Sequence, residues 1–137
     1  MEDILKKILV VGLGFFGNQL AISLSNKGVE VIAVDNDKSK VDDIADKVAY
    51  ALRLDATDER ALGNLGIDGI DMGIACIGES FEANLLTSVN MLQLGIKEVI
   101  SRGSTDVQRK VLKAVGVKHV IRPEYEAAEQ FSLRVVY

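Results

Sequence analysis

The sequence predicts an α/β protein with a Rossmann-type, doubly wound parallel sheet. Six strands are expected in the order 3-2-1-4-5-6, in a single domain with a C-terminal helix that either folds back or crosses to a partner subunit or another domain. Two observations lead there. A short aliphatic run, Ile8 to Val11, stops at Gly12, and Gly14 and Gly17 follow before Leu20, Ala21 and Leu24 repeat at helical spacing. Strand-like and helix-like stretches then alternate to the end of the chain, as in parallel strands joined by right-handed crossover helices.

Taken in order, Glu30 to Val34 is the second strand and ends at Asp35. Asp37 can cap a helix reaching Val48, with Val41, Ile44, Ala45 and Val48 facing inward. Tyr50 to Leu54 is the third strand and closes on Asp55-Ala56-Thr57. Thr57 is expected to cap a short helix from Asp58 to Leu65, whose Asp58 and Glu59 suit the positive end of its dipole. A second half repeats the rhythm: strand Met72 to Ile77, helix Phe81 to Leu94 stopped by Gly95, then strand Glu98 to Ser101. Thr105 and Gln108 form a capping box for a helix that runs to Val115 and stops at Gly116. His119 to Ile121 is a short last strand. After Pro123, Glu124 to Tyr137 reads as a helix with more apolar residues than it has partners: Ala127, Ala128, Phe131, Val135 and Val136.

Composition narrows the function classes. A chain of 137 residues suits one domain, and its single cysteine, Cys76, lies in an apolar run that marks it as a buried thiol. A net charge of −4, without a basic stripe or aromatic platform, argues against nucleic-acid binding. No apolar run approaches the about 20 residues needed to span a bilayer, and Glu2 and Asp3 do not suit a signal peptide, so a cytoplasmic location is expected. No Ser/His/Asp constellation, metal-ligand cluster or Walker-type Gly-Lys-Ser appears. The lone histidine, His119, is expected to be structural.

The glycines give the chain its chemistry. Gly12 would allow the tight turn, Gly14 would let the backbone approach a pyrophosphate, and Gly17 would let the helix lie close on the strand. Phe15 and Phe16 fall at the first helical N–H groups, which lack intrahelical partners and attract phosphate. Asp35, with its neighbour Asn36, stands where a ribose diol is held, and its charge disfavours the 2′-phosphate of NADP. Asp55, Ala56 and Thr57 close the third strand beside an adenine edge. Ile77 and Gly78, with Glu79, close the fourth, and Arg102 ends the fifth as a phosphate ligand.

These words at this spacing resemble the N-terminal nucleotide-binding domain of the regulator-of-potassium-conductance family (RCK or KTN, the TrkA-N type), found in Trk and Ktr potassium-uptake systems and in some potassium channels. The matching segments are Gly12-Leu13-Gly14-x-Phe16-Gly17, Val34-Asp35, Asp55-Ala56-Thr57, Leu65-Gly66-Ile67, Ala75-x-Ile77-Gly78, Glu82-Ala83-Asn84-Leu85, Arg102 and Val120-Ile121-x-Pro123-Glu124. The resemblance implies a cytoplasmic regulatory subunit, peripheral to the inner face of the cell membrane, that binds NAD(H), ATP or ADP and gates a membrane potassium transporter or channel subunit. It also implies that Arg102 approaches a terminal phosphate or a neighbouring subunit. Glu124 would lie near a divalent cation between subunits, and the last helix would pair subunits in a homodimer or higher ring. Energetics is consistent with such a ring: moving a gate from 1:99 to 99:1 takes about 5.5 kcal/mol, and one site commonly couples about 1 to 3 kcal/mol, so several sites must act together. Phe15 departs from the pattern, since many relatives carry arginine there. The family's C-terminal ligand-binding domain lies outside the resemblance. Two other readings of the same glycines stand beside this one, a small NAD-dependent oxidoreductase and a redox-sensing Rossmann protein.

Overall fold

The computed structural model describes residues 6–137; Glu2 and Asp3 lie outside them. Six strands alternate with six helices. The strands are β1 Lys7–Val11, β2 Glu30–Asp35, β3 Tyr50–Arg53, β4 Met72–Ala75, β5 Glu98–Arg102 and β6 His119–Ile121. The helices are α1 Phe15–Asn26, α2 Lys38–Ile44, α3 Glu59–Gly63, α4 Phe81–Gln93, α5 Asp106–Val115 and α6 Pro123–Val136. Every strand pair is parallel and the order is β3-β2-β1-β4-β5-β6. That is the expected doubly wound sheet. Between β1 and β4 the winding reverses, leaving a crevice at the carboxyl ends of the strands.

The two-residue side-chain period of a strand sends alternate residues to opposite faces, and the core divides accordingly. Ile8, Val10, Val31 and Ala33 pack with Ala21 of α1 and Val41 and Ile44 of α2. Leu9, Val11, Ile32 and Val34 pack on the other face with Leu62 of α3, Met91 of α4 and Leu112 of α5. Both faces of β1 and β2 are therefore covered, which explains why their sequences are continuous apolar runs rather than alternating ones.

Three local expectations are revised. α2 ends at Ile44 rather than Val48, and turns carry the chain to β3. Asp58, not Thr57, caps α3, because its carboxylate accepts from the N–H groups of Arg60 and Ala61 while the Thr57 hydroxyl donates to Asp55. At α5 the Gln108 backbone N–H donates to Thr105 Oγ1, but the Gln108 side-chain Oε1 accepts from the Ser104 N–H, one residue before the cap. Helix α6 opens with Pro123 at its first turn and buries no residue. Phe131 and Val135 are 58% and 68% exposed, so the apolar side of this helix is unpartnered among the described residues.

Candidate functional site

The turn between β1 and α1 is built by its glycines. Gly12 adopts φ +99°, and a Cβ there would lie 2.7 Å from the Cys76 carbonyl carbon, so neither the conformation nor the space admits a side chain. A Cβ on Gly17 would overlap the Gly12 carbonyl oxygen, so α1 lies directly on the turn. Gly14 differs from both. It is the N-cap, with φ −64°, and its Cβ would meet nothing within 4 Å. The strip of backbone at Gly14 is open, and beyond it the first N–H groups of α1 have no intrahelical acceptor.

Asp35 ends β2 beside this turn, nearly buried. Its Oδ2 accepts from the Leu13 N–H at 2.7 Å and its Oδ1 from the Asp37 N–H at 2.9 Å. One carboxylate thus ties the glycine turn to the end of β2, and each oxygen keeps a lone pair for another donor. Arg53 donates through Nε to the Asn36 carbonyl, which holds the next residue of that loop.

Two clefts flank the turn. The first, of about 190 Å³, is bordered by Gly12, Asp35, Asn36, Asp55, Ala56, Thr57 and Ile77. All seven are candidates named from the sequence. Val11, Leu54, Glu79, Ser80 and Ala83 complete its lining. The second, of about 430 Å³, brings together Gly14, Phe15, Phe16, Cys76, Gly78, Glu79, Arg102 and Glu124. Gly17 lines neither cleft; it supports them from behind. His119, exposed where β6 begins, also lines neither.

Arg102, mostly buried at the end of β5, forms an ion pair with Glu124 in the first turn of α6, and its guanidinium lies 6.0 Å from the Phe16 ring centroid. Among the described residues no three His, Cys, Asp or Glu side chains converge as a metal site would require. Glu124 alone, already paired, does not fit a divalent cation within one chain. Cys76 sits under the turn, and burial pushes its thiol up to about 12, against a smaller opposite pull from Arg102. It is therefore an inert thiol at neutral pH.

The residues that hold these loops in place come largely from α4, and sequence reasoning gave them no role. Asn84 accepts the Ile77 N–H at 2.8 Å and donates to the Arg102 carbonyl at 3.0 Å. Asn90 donates to the Ala56 carbonyl at 3.0 Å, and Ser88 bonds Ser101. One helix face thus fastens the ends of β3, β4 and β5. The signal was present: Asn84, Thr87, Ser88 and Met91 recur at i, i+3, i+4 and i+7, the inward spacing of a helix, with polar residues at three of the four positions.

Residues 8–123 match the family model described as the TrkA-N domain. The chain belongs to the TrkA-N domain family. It is 37% identical over 131 residues to Ktr system potassium uptake protein C of Bacillus subtilis (strain 168), covering 96% of this chain and 59% of that protein. The TrkA-N chain therefore spans little more than half the length of that relative. Its fold is shared with the NAD(P)-binding domain of an exopolyphosphatase-related protein from Archaeoglobus fulgidus. The TM-score is 0.83 at 23% identity, over 93% of this chain and 96% of that one. The GsuK channel bound to NAD shares it too, with a TM-score of 0.73 at 17% identity, over 88% of this chain and 22% of that one. Among the described residues no helix is long and apolar enough to cross a membrane.

Proposed function

We propose that this TrkA-N domain is the nucleotide-sensing part of a Trk/Ktr-type potassium transport system, binding NAD(H) or ATP/ADP and passing the signal to a membrane potassium transporter or channel subunit. One observation carries the reading. The open backbone at Gly14 and the Asp35 carboxylate meet at the switch point of the sheet, in a chain whose relative is a potassium uptake protein. The cleft beside Asp35 and Asp55 suits an adenosine, with Asp35 accepting from the ribose hydroxyls through its remaining lone pairs. The Phe15, Phe16 and Gly17 N–H groups suit a pyrophosphate, and the positive end of α1 favours its charge. Arg102 is the cation within reach of a terminal phosphate, and it can turn there only by leaving Glu124. Because Glu124 opens α6, that exchange would link an occupied site to the helix that offers its apolar side to a second copy of the chain. The regulatory reading needs no chemical step, and the clefts hold no general acid–base pair beyond carboxylates and one arginine.

The test is a thermal-shift panel of NAD, NADH, ATP, ADP and NADPH. A ligand at a hundred times its dissociation constant stabilises the fold by about 2.7 kcal/mol. Gly14→Val should leave the chain folded and abolish the shift, because its side chain fills the space at the open strip. An unchanged shift in that variant would mean that the ligand sits elsewhere.

A further inference from the structure

Both clefts beside the glycine turn carry more carboxylates than cations: the first has Asp35, Asp55 and Glu79 and no cation. The second presents one guanidinium, Arg102, against two carboxylates, Glu79 and Glu124, and the guanidinium is already paired with Glu124. No lysine lines either cleft, and Glu79 borders both. At the rim of the second stands Phe15, the first residue of α1, with 86% of its surface exposed. A phenyl ring left in water at the mouth of an acidic cleft is an unusual neighbour for phosphate.

Building on the nucleotide reading above, we propose that this site selects a dinucleotide of the NAD type over ATP, with Phe15 as the specificity-determining residue. An adenosine in the first cleft puts its phosphates at the Gly14 strip and sends whatever follows into the second cleft. The two phosphates of a dinucleotide are each singly ionised, and the amide groups of the turn answer them. The terminal phosphoryl of ATP carries further charge and would arrive facing Glu79 and Glu124; Arg102 can answer it only by giving up Glu124, which leaves that carboxylate unpaired beside the phosphate, where like charges repel. A flat heteroaromatic ring in the same place stacks on the Phe15 face. The positively charged ring of oxidised NAD gains from that face and from both carboxylates.

Calorimetric titration of the chain with NAD, NADH, ADP and ATP, all without divalent cations that would mask the terminal charge, tests this. The dinucleotides should bind at least about tenfold more tightly than ATP, and Phe15→Ala should remove about tenfold from NADH while leaving ADP unchanged. Glu79→Gln should raise ATP affinity several-fold more than that of ADP. ATP bound as tightly as NADH by the unaltered chain would overturn the proposal, as would Phe15→Ala weakening ADP and NADH equally. Failure of the unaltered chain to bind ADP, NAD or NADH is a distinct result, which removes the nucleotide reading itself.

Discussion

Asp35→Asn asks how much of the carboxylate's work is done before any ligand arrives. Both of its oxygens accept backbone N–H groups, Leu13 at 2.7 Å and Asp37 at 2.9 Å. An amide has one oxygen, so its NH2 group must face one of those donors. The less damaging orientation keeps the buried bond from Leu13 in neutral form and turns the NH2 group toward Asp37. A hydrogen bond to a charged group contributes about 1.5–3 kcal/mol and a neutral one about 0.5–1.5 kcal/mol. Losing one and weakening the other should cost about 2–4 kcal/mol. A chain of 137 residues unfolds with an entropy of about 0.29 kcal/mol/K, taking about 2.1 cal/mol/K per residue. The melting temperature should therefore fall by about 7–14 °C, read by circular dichroism without nucleotide. A variant melting within about 2 °C of the parent would refute the reasoning, leaving Asp35 with no part in holding the turn.

Two further outcomes follow from the same structure. Asn84→Ala leaves the Ile77 N–H and the Arg102 carbonyl without their partner, so the urea midpoint should drop by the equivalent of about 2–4 kcal/mol at unchanged slope. For Cys76 the folded chain keeps its proton to about pH 12, while the unfolded chain releases it near pH 9. Its contribution to stability is complete below about pH 9 and is lost as pH rises toward 12, at up to about 1.4 kcal/mol per pH unit. Urea titrations between pH 8 and 10.5 should show that slope in the parent and a shallower one in Cys76→Ala.

The sheet order was legible because each apolar run is bounded by glycine or a capping residue, and because three glycines mark where the winding begins. The first cleft was legible for the same reason, since its candidates are the residues that follow strands. What escaped lies at a finer scale. Thr57 and Asp58 are both good caps, and only the fold shows that Asp55 engages the Thr57 hydroxyl and leaves the capping to Asp58. Asp35 looks in sequence like a ligand for sugar, yet its first partners are two backbone N–H groups brought near by the turn. The inward polar residues of α4 escaped because a buried face is ordinarily sought among apolar side chains. Here the face meets loop ends whose N–H and carbonyl groups need partners, and amides supply both.

That polar face governs how the site can respond. Since Asn84 and Asn90 lash three strand ends to one rod, those ends cannot yield one at a time. The floor of the clefts is a rigid cradle with little ordering left for an incoming molecule to impose. On the proposed reading, a message would then leave by the exposed last helix, whose link to the cradle is the Arg102–Glu124 pair, and a guest has one exit from its seat.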